Sequence, residues 1–332
     1  MNILSKNKKW CCYIAAAFVI AFIISWIISR SGCPLAKALR EYGLLNPIIK
    51  YHEGEDIMKE KEIDFKSIIE DYVNIKLKRG DTEHVSVYYR ALNNGDRIGI
   101  NENEYFSPAS LMKLPIMIAY LKKAEEDKGF LDKSVIYDAS KEYDPYTQDM
   151  KPAKALENGK TYTFRELIER MITYSDNAAS LMLQENIDIK YIENTFYDLG
   201  MGFPASSGTS FDNNIPVKDY SVFFRVLFNS SYLNQKDSEW ALTLLNNTEF
   251  DEGIKAGLPS NRQFAHKFGE RGIIGANGKD QKQLHDCGIV YYPEHPYILC
   301  IMTRGYDRDK LKAILKDISE TIYTKIRSVY TK

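Results

Sequence analysis

Residues 107–115 read SPASLMKLP. Whether Ser110 and Lys113 in this stretch are a nucleophile and its base decides how the rest of the chain is read. On a helix, residues three apart share a face, with Cβ atoms about 5–6 Å apart. A serine hydroxyl alone is a poor nucleophile and needs a base within hydrogen-bond reach. Lysine serves only if its pKa falls, through burial or a neighbouring cation. The run LMKLPIMIAYL (111–121) is apolar enough to bury Lys113. Pro108 suits a helix start, where backbone N–H groups can hold an oxyanion. The spacing alone is weak: Ser5 and Lys8 match it in a lysine-rich tail where no chemistry is expected.

Two further stretches carry candidate chemistry. In MITYSDNAAS (171–180), Ser175 and Asn177 follow the helical pattern TFRELIERMITY. If the backbone turns there, a hydroxyl and a carboxamide face one cleft; otherwise the cluster caps a helix. In FAHKFGERG (264–272), Lys267 would supply positive charge from a strand, and Gly269 allows close backbone approach.

Taken in order, Ser110-x-x-Lys113, Ser175-Asp176-Asn177 and Lys267-x-Gly269 resemble the class A β-lactamases and their penicillin-binding relatives. The resemblance runs from about 63 to 330. It includes YFSPASLMKLP, YTFRELIERMITYSDNAASLML, GIKAGLPSNRQFAHKFG and the closing CGIVYYPEHPYILCIM. It implies that Ser110 attacks a lactam or D-alanyl amide carbonyl, its own N–H forming part of the oxyanion hole. Lys113 would take or tune the serine proton, and Ser175 would protonate the departing nitrogen. Asn177 would orient the substrate amide. Lys267 would draw a carboxylate and lower the pKa of Lys113 and Ser175. Arg271 and Arg304 are weaker carboxylate-binding candidates.

Two departures matter. Phe268 replaces the Thr or Ser that the family places after the third-motif lysine. A hydrogen bond to a charged group is worth about 1.5–3 kcal/mol, so its loss weakens penicillin recognition roughly ten- to a hundredfold. The Glu-x-x-Leu-Asn loop, whose glutamate activates the deacylating water, is also missing: residues 199–221 contain no glutamate. Asp212 with Asn213 or Asn214 is a weak substitute, and Glu185 and Glu193 read as surface residues. The expectation is a serine hydrolase that acylates but turns over penicillins poorly. Its substrate would be a β-lactam or a peptidoglycan-like peptide. The alternative is a membrane-anchored binding protein that uses the fold without catalysis.

The flanking sequence predicts an α+β fold. IDFKSIIEDYVNIKLK (63–78) puts Phe65, Ile68, Ile69 and Tyr72 on one helical stripe. HVSVYYRAL and RIGI around NNGD read as a hairpin. Residues 110–250 read as helical, three strand-like runs follow, and 310–330 has helical spacing. The expected architecture is an antiparallel sheet flanked by N- and C-terminal helices, plus an all-helical lobe. Cys287 and Cys300 fall on a predicted hairpin, diagonal rather than opposite, which favours buried thiols over a disulfide.

At the N-terminus, Lys6, Lys8 and Lys9 precede an uncharged run from Trp10 to Ile28, long enough to cross a membrane. The expected organisation is a cytoplasmic tail (1–9), a transmembrane anchor (10–29), a stalk (30–62) and an extracytoplasmic catalytic domain (63–332). Ala36-Lys37-Ala38 offers a signal-cleavage alternative. Arg30-Ser31-Gly32-Cys33 falls short of a lipoprotein box at Arg30. The net charge of −1 and scattered histidines suggest no nucleic acid, metal or cofactor.

Overall fold

The computed structural model describes residues 43–46, 65–141, 152, 154–203, 215–274, 278 and 280–330. The expected tail and anchor, and nearly all of the stalk, lie outside the described residues. Among the described residues no helix is long and apolar enough to cross a membrane.

Within the unit Glu53–Lys332, the chain opens with α1 (Lys66–Lys78), β1 (His84–Ala91), β2 (Arg97–Ile100) and β3 (Tyr105–Phe106). Then come α2 (Lys113–Glu126), β4 (Ser134–Ile136), β5 (Thr161–Thr163), α3 (Phe164–Thr173), α4 (Asn177–Glu185) and α5 (Ile189–Tyr197). It closes with β6 (Ile215–Pro216), α6 (Val217–Phe228), α7 (Gln235–Asn246), β7 (Phe264–Ile274), β8 (Asp280–Val290), β9 (Tyr297–Gly305) and α8 (Arg308–Tyr330). The fold is α+β, as the sequence predicts.

The main sheet has the order β2-β1-β9-β8-β7. All its pairings are antiparallel, and β1 against β9 joins the two ends of the domain. Its strands alternate their side chains between two faces. One face buries Val85, Val87, Leu299 and Ile301 against Phe65, Ile69 and Val73 of α1 and Leu311, Ile314, Leu315, Ile318 and Ile322 of α8. The α8 stripe is the predicted one. The α1 stripe is rotated: Ile69 and Val73 are buried, whereas Ile68 is 39% exposed. Two adjacent isoleucines cannot both face the sheet, and Phe65-Ile69-Val73 at i, i+4, i+8 makes the straighter ridge.

The other face meets the helical part, in which α2 is buried along Leu114–Leu121. An apolar helix of this kind needs neighbours all round, and α3, α5 and α7 pack against it. α3 starts at a capping box, Thr163 and Glu166 each accepting from the other's backbone N–H. The lobe is not wholly helical, because β4 and β5 pair within it. β3 and β6 form a second two-stranded pair.

Cys287 and Cys300 are direct register partners, not diagonal ones, and form a disulfide. The six residues between Val290 and Tyr297, themselves partners, set this register. The bridge crosses β8 and β9 with a Cα–Cα distance of 4.0 Å.

Candidate active site

Ser110 lies on a 3₁₀ turn, Ala109–Met112, that runs directly into α2, whose first residue is Lys113. Ala109 holds φ at +49°, a left-handed conformation that costs a non-glycine residue free energy and clusters at functional sites. The turn is backed by β7. A Cβ on Gly269 would stand 2.8 Å from the Pro108 carbonyl oxygen and 3.1 Å from the Leu111 backbone nitrogen. Glycine is needed here for close approach, as the sequence predicts. Gly269→Ala is expected to cost about 1–3 kcal/mol in urea unfolding through overpacking. It should also slow acylation roughly a hundredfold by displacing the turn.

Ser175 joins α3 to α4 with φ at +54°. Asp176 caps α4, accepting from the Ala179 N–H at 3.0 Å, and burial pushes its carboxyl pKa up. The capping reading therefore holds for Asp176. Its neighbours turn towards Lys113. The Lys113 ammonium, on a residue only 4% exposed, donates to the Ser175 carbonyl (2.5 Å) and to Asn177 Oδ1 (2.7 Å). It also lies 3.1 Å from Ser110 Oγ and 3.0 Å from Ser175 Oγ.

Lys267 approaches the same hydroxyl from β7. Its Nζ is 3.0 Å from Ser175 Oγ and 3.0 Å from the Phe268 carbonyl oxygen. Lys267 is completely buried. Burial first, and the charge of Lys113 second, hold its pKa well below the ordinary lysine value. Five residues singled out in the sequence thus form one hydrogen-bonded cluster: Ser110, Lys113, Ser175, Asn177 and Lys267.

Phe268 adds no hydrogen-bonding side chain to that cluster. Its ring is buried and stacks on Phe250 with centroids 4.2 Å apart, and the Lys267 ammonium lies 4.1 Å from its centroid. The ring gives the Lys267 side-chain nitrogen a cation–π neighbour but offers no hydrogen bond to a substrate carboxylate.

The two arginines carry structural contacts. Arg271 donates to Ser107 Oγ at 2.8 Å. Arg304 donates to the Tyr105 carbonyl at 2.9 Å and lies over the Phe106 ring. Glu185 is exposed and 3.8 Å from Lys141; Glu193 is half-exposed on α5. Asp212, Asn213 and Asn214 lie outside the described residues.

Sequence reading missed His285, which sits on β8 directly beside Gly269. Its Nε2 is 2.9 Å from the Ser107 carbonyl oxygen, and the Thr303 N–H donates to its Nδ1 at 3.2 Å. The strand parity it shares with Cys287 puts it on the cleft face; no motif marks it.

Burial pushes the His285 pKa down from 6.5 to about 4. The unfolded chain therefore binds the extra proton first as pH falls. The associated stability is whole above about pH 6.5 and drains away towards pH 4, about 3 kcal/mol in all. Urea unfolding at pH 7 and pH 4 should show wild type losing that much more than His285→Gln. Equal losses would contradict it.

The arrangement can deprotonate an alcohol. Two N–H groups of Lys113 serve the carbonyl acceptors, Ser175 O and Asn177 Oδ1. In the neutral amine the remaining lone pair is left for the Ser110 hydroxyl. Ser175 Oγ bridges both lysines and can pass a proton on.

A family model described as the beta-lactamase enzyme family matches residues 65–326. A beta-lactamase of Bacteroides uniformis is 26% identical over 254 residues, covering 70% of this chain and 83% of that protein. Among solved structures, PBP-A matches with a TM-score of 0.66 and 20% identity over 79% of this chain and 97% of its own. A PBP-A mutant solved as an acyl-enzyme complex with penicillin G has the same TM-score at 19% identity, covering 80% and 97%. A beta-lactamase from Burkholderia phymatum matches with a TM-score of 0.64 and 18% identity, over 79% and 99%. At such identities these structures establish the fold.

Proposed function

The chain belongs to the beta-lactamase enzyme family and is a serine hydrolase of that type; from this premise we propose that it acylates readily and deacylates slowly. The observation that carries the reading is the Lys113 side-chain nitrogen held 3.1 Å from Ser110 Oγ by two carbonyl acceptors, with no glutamate in residues 199–221 to activate water.

In the acylation step Ser110 Oγ attacks the carbonyl carbon as Lys113, reacting as the neutral amine, takes the hydroxyl proton. The Ser110 N–H and the turn around it receive the developing oxyanion. The tetrahedral intermediate collapses, the C–N bond breaks, and Ser175 Oγ gives its proton to the departing nitrogen. Lys113 restores the Ser175 proton, so charge and protons balance. Asn177 orients the substrate amide. Lys267 is covered, and it acts by fixing Ser175 Oγ.

The substrate class we infer is an acyl donor of the β-lactam or cell-wall-peptide kind. The acyl-enzyme of PBP-A with penicillin G supports it by likeness of fold. Because both PBP-A and beta-lactamases share this fold, the fold does not separate trapping from turnover. The missing glutamate favours trapping.

We further propose that the catalytic domain works outside the membrane, anchored by the apolar run from Trp10 to Ile28. The Cys287–Cys300 disulfide supports an oxidising compartment. The test of function is incubation with a fluorescent penicillin, followed by a denaturing gel. A band that survives a chase with unlabelled penicillin for many minutes is expected. A non-catalytic protein gives no band.

A further inference from the structure

We propose that His285 is a positioning residue for the nucleophile: it clamps the segment 107–110 from beneath and keeps Ser110 facing Lys113. The inference builds on the acyl-transfer reading above.

Three groups on one face of two paired strands meet this segment. Gly269 of β7 lets the Pro108 carbonyl sit directly on the strand. His285 of β8, its register partner, is 2.9 Å from the Ser107 carbonyl oxygen. Arg271, two residues along β7, holds Ser107 Oγ at 2.8 Å. Ser107 is therefore gripped by both its backbone and its side chain, two residues before Ala109, whose φ is +49°.

A left-handed alanine persists only where its surroundings over-determine it. Here the surroundings hold the residues just before it. If the grip is released, Ala109 can relax to negative φ, which swings Ser110 out of line with Lys113. Misplacement of reacting groups by about 1 Å costs on the order of a hundredfold in rate.

The polarity of the imidazole is fixed by its neighbours. Nδ1 accepts from the Thr303 N–H, so the proton sits on Nε2 and is donated to Ser107. Burial keeps the ring neutral at ordinary pH. Phe106 packs edge-on against it, centroids 5.5 Å apart, which limits the ring's freedom to turn.

Two substitutions separate positioning from bulk. In His285→Asn the shorter amide can still take the Thr303 N–H but has nothing to reach Ser107. His285→Gln extends an amide N–H towards it. We expect acylation by fluorescent penicillin to slow about thirtyfold in the Asn variant and to recover to within about threefold of wild type in the Gln variant. Hydrogen exchange of the peptide covering 107–112 should speed up about tenfold in the Asn variant, with the β7–β8 ladder unchanged. Ile314→Ala, which weakens the opposite face of the sheet, should unfold more easily yet acylate at the wild-type rate.

An Asn variant that acylates normally, or shows unchanged exchange at 107–112, overturns the proposal. So does a Gln variant no better than Asn. A further measurement needs no variant: nitrogen NMR of wild-type His285 should show the Nε2–H tautomer, and the Nδ1–H tautomer would remove the donor and the proposal with it. If wild type never reacts with penicillin, the acyl-transfer reading fails. The exchange and tautomer measurements then still decide the clamp.

Discussion

Ser110→Ala is expected to erase the covalent penicillin band completely, while Ser175→Ala leaves a band that forms slowly. Both hydroxyls touch Lys113, at 3.1 and 3.0 Å, so distance alone does not choose the nucleophile. Burial does. Ser175 is 1% exposed and bridges Lys113 and Lys267; no carbonyl carbon can reach it. Ser110 is half-exposed on its turn, open to substrate. Losing the nucleophile removes the covalent route altogether. Losing the relay removes one proton transfer, worth roughly 10²–10⁴ in rate. A band retained in Ser110→Ala would move the chemistry elsewhere.

Lys113→Met is expected to lower the acylation rate by about 10²–10⁴ with Ser110 intact. Methionine keeps most of the volume but cannot accept the hydroxyl proton. It also removes the donor that the buried Ser175 carbonyl and the part-buried Asn177 Oδ1 now share, a cost of about 1–3 kcal/mol. Urea unfolding should report that loss separately from rate. Lys267 cannot take over as base, because the structure places it against Ser175 and Phe268 rather than Ser110. A rate within tenfold of wild type would show that Lys113 is not the base.

The parts of this molecule that sequence made legible are those with period or order. α8 shows its stripe because five apolar residues keep helical spacing. The three motifs could be assigned because their order is specific even though each is weak alone. Other features depend on geometry that no local pattern carries. The Cys287–Cys300 register turns on the length of one loop. The rotation of α1 turns on which of two adjacent isoleucines packs. The ribbons β3–β6 and β4–β5 have only two or three residues per strand, too few for periodicity to register. Phe268 could be seen to lack a hydroxyl, but its stack on Phe250 joins residues 18 apart. His285 and Ser107 are 178 positions apart, and a lone histidine in an apolar strand announces no partner.

The missing hydroxyl at 268 and the missing glutamate act on different steps. On the proposed reading, the first weakens recognition of a carboxylate and the second slows release of the acyl group. Poor hydrolysis arising from the first alone would show as slow labelling followed by rapid loss of the band. Poor hydrolysis arising from the second shows as a band that accumulates.

The most direct test is a nitrocefin time course with enzyme in the micromolar range. The expected trace is a burst of about one equivalent of product per enzyme, followed by a much slower steady phase. Linear turnover from the first seconds, many equivalents deep and without a burst, would contradict slow deacylation and place an effective water-activating group in the cleft.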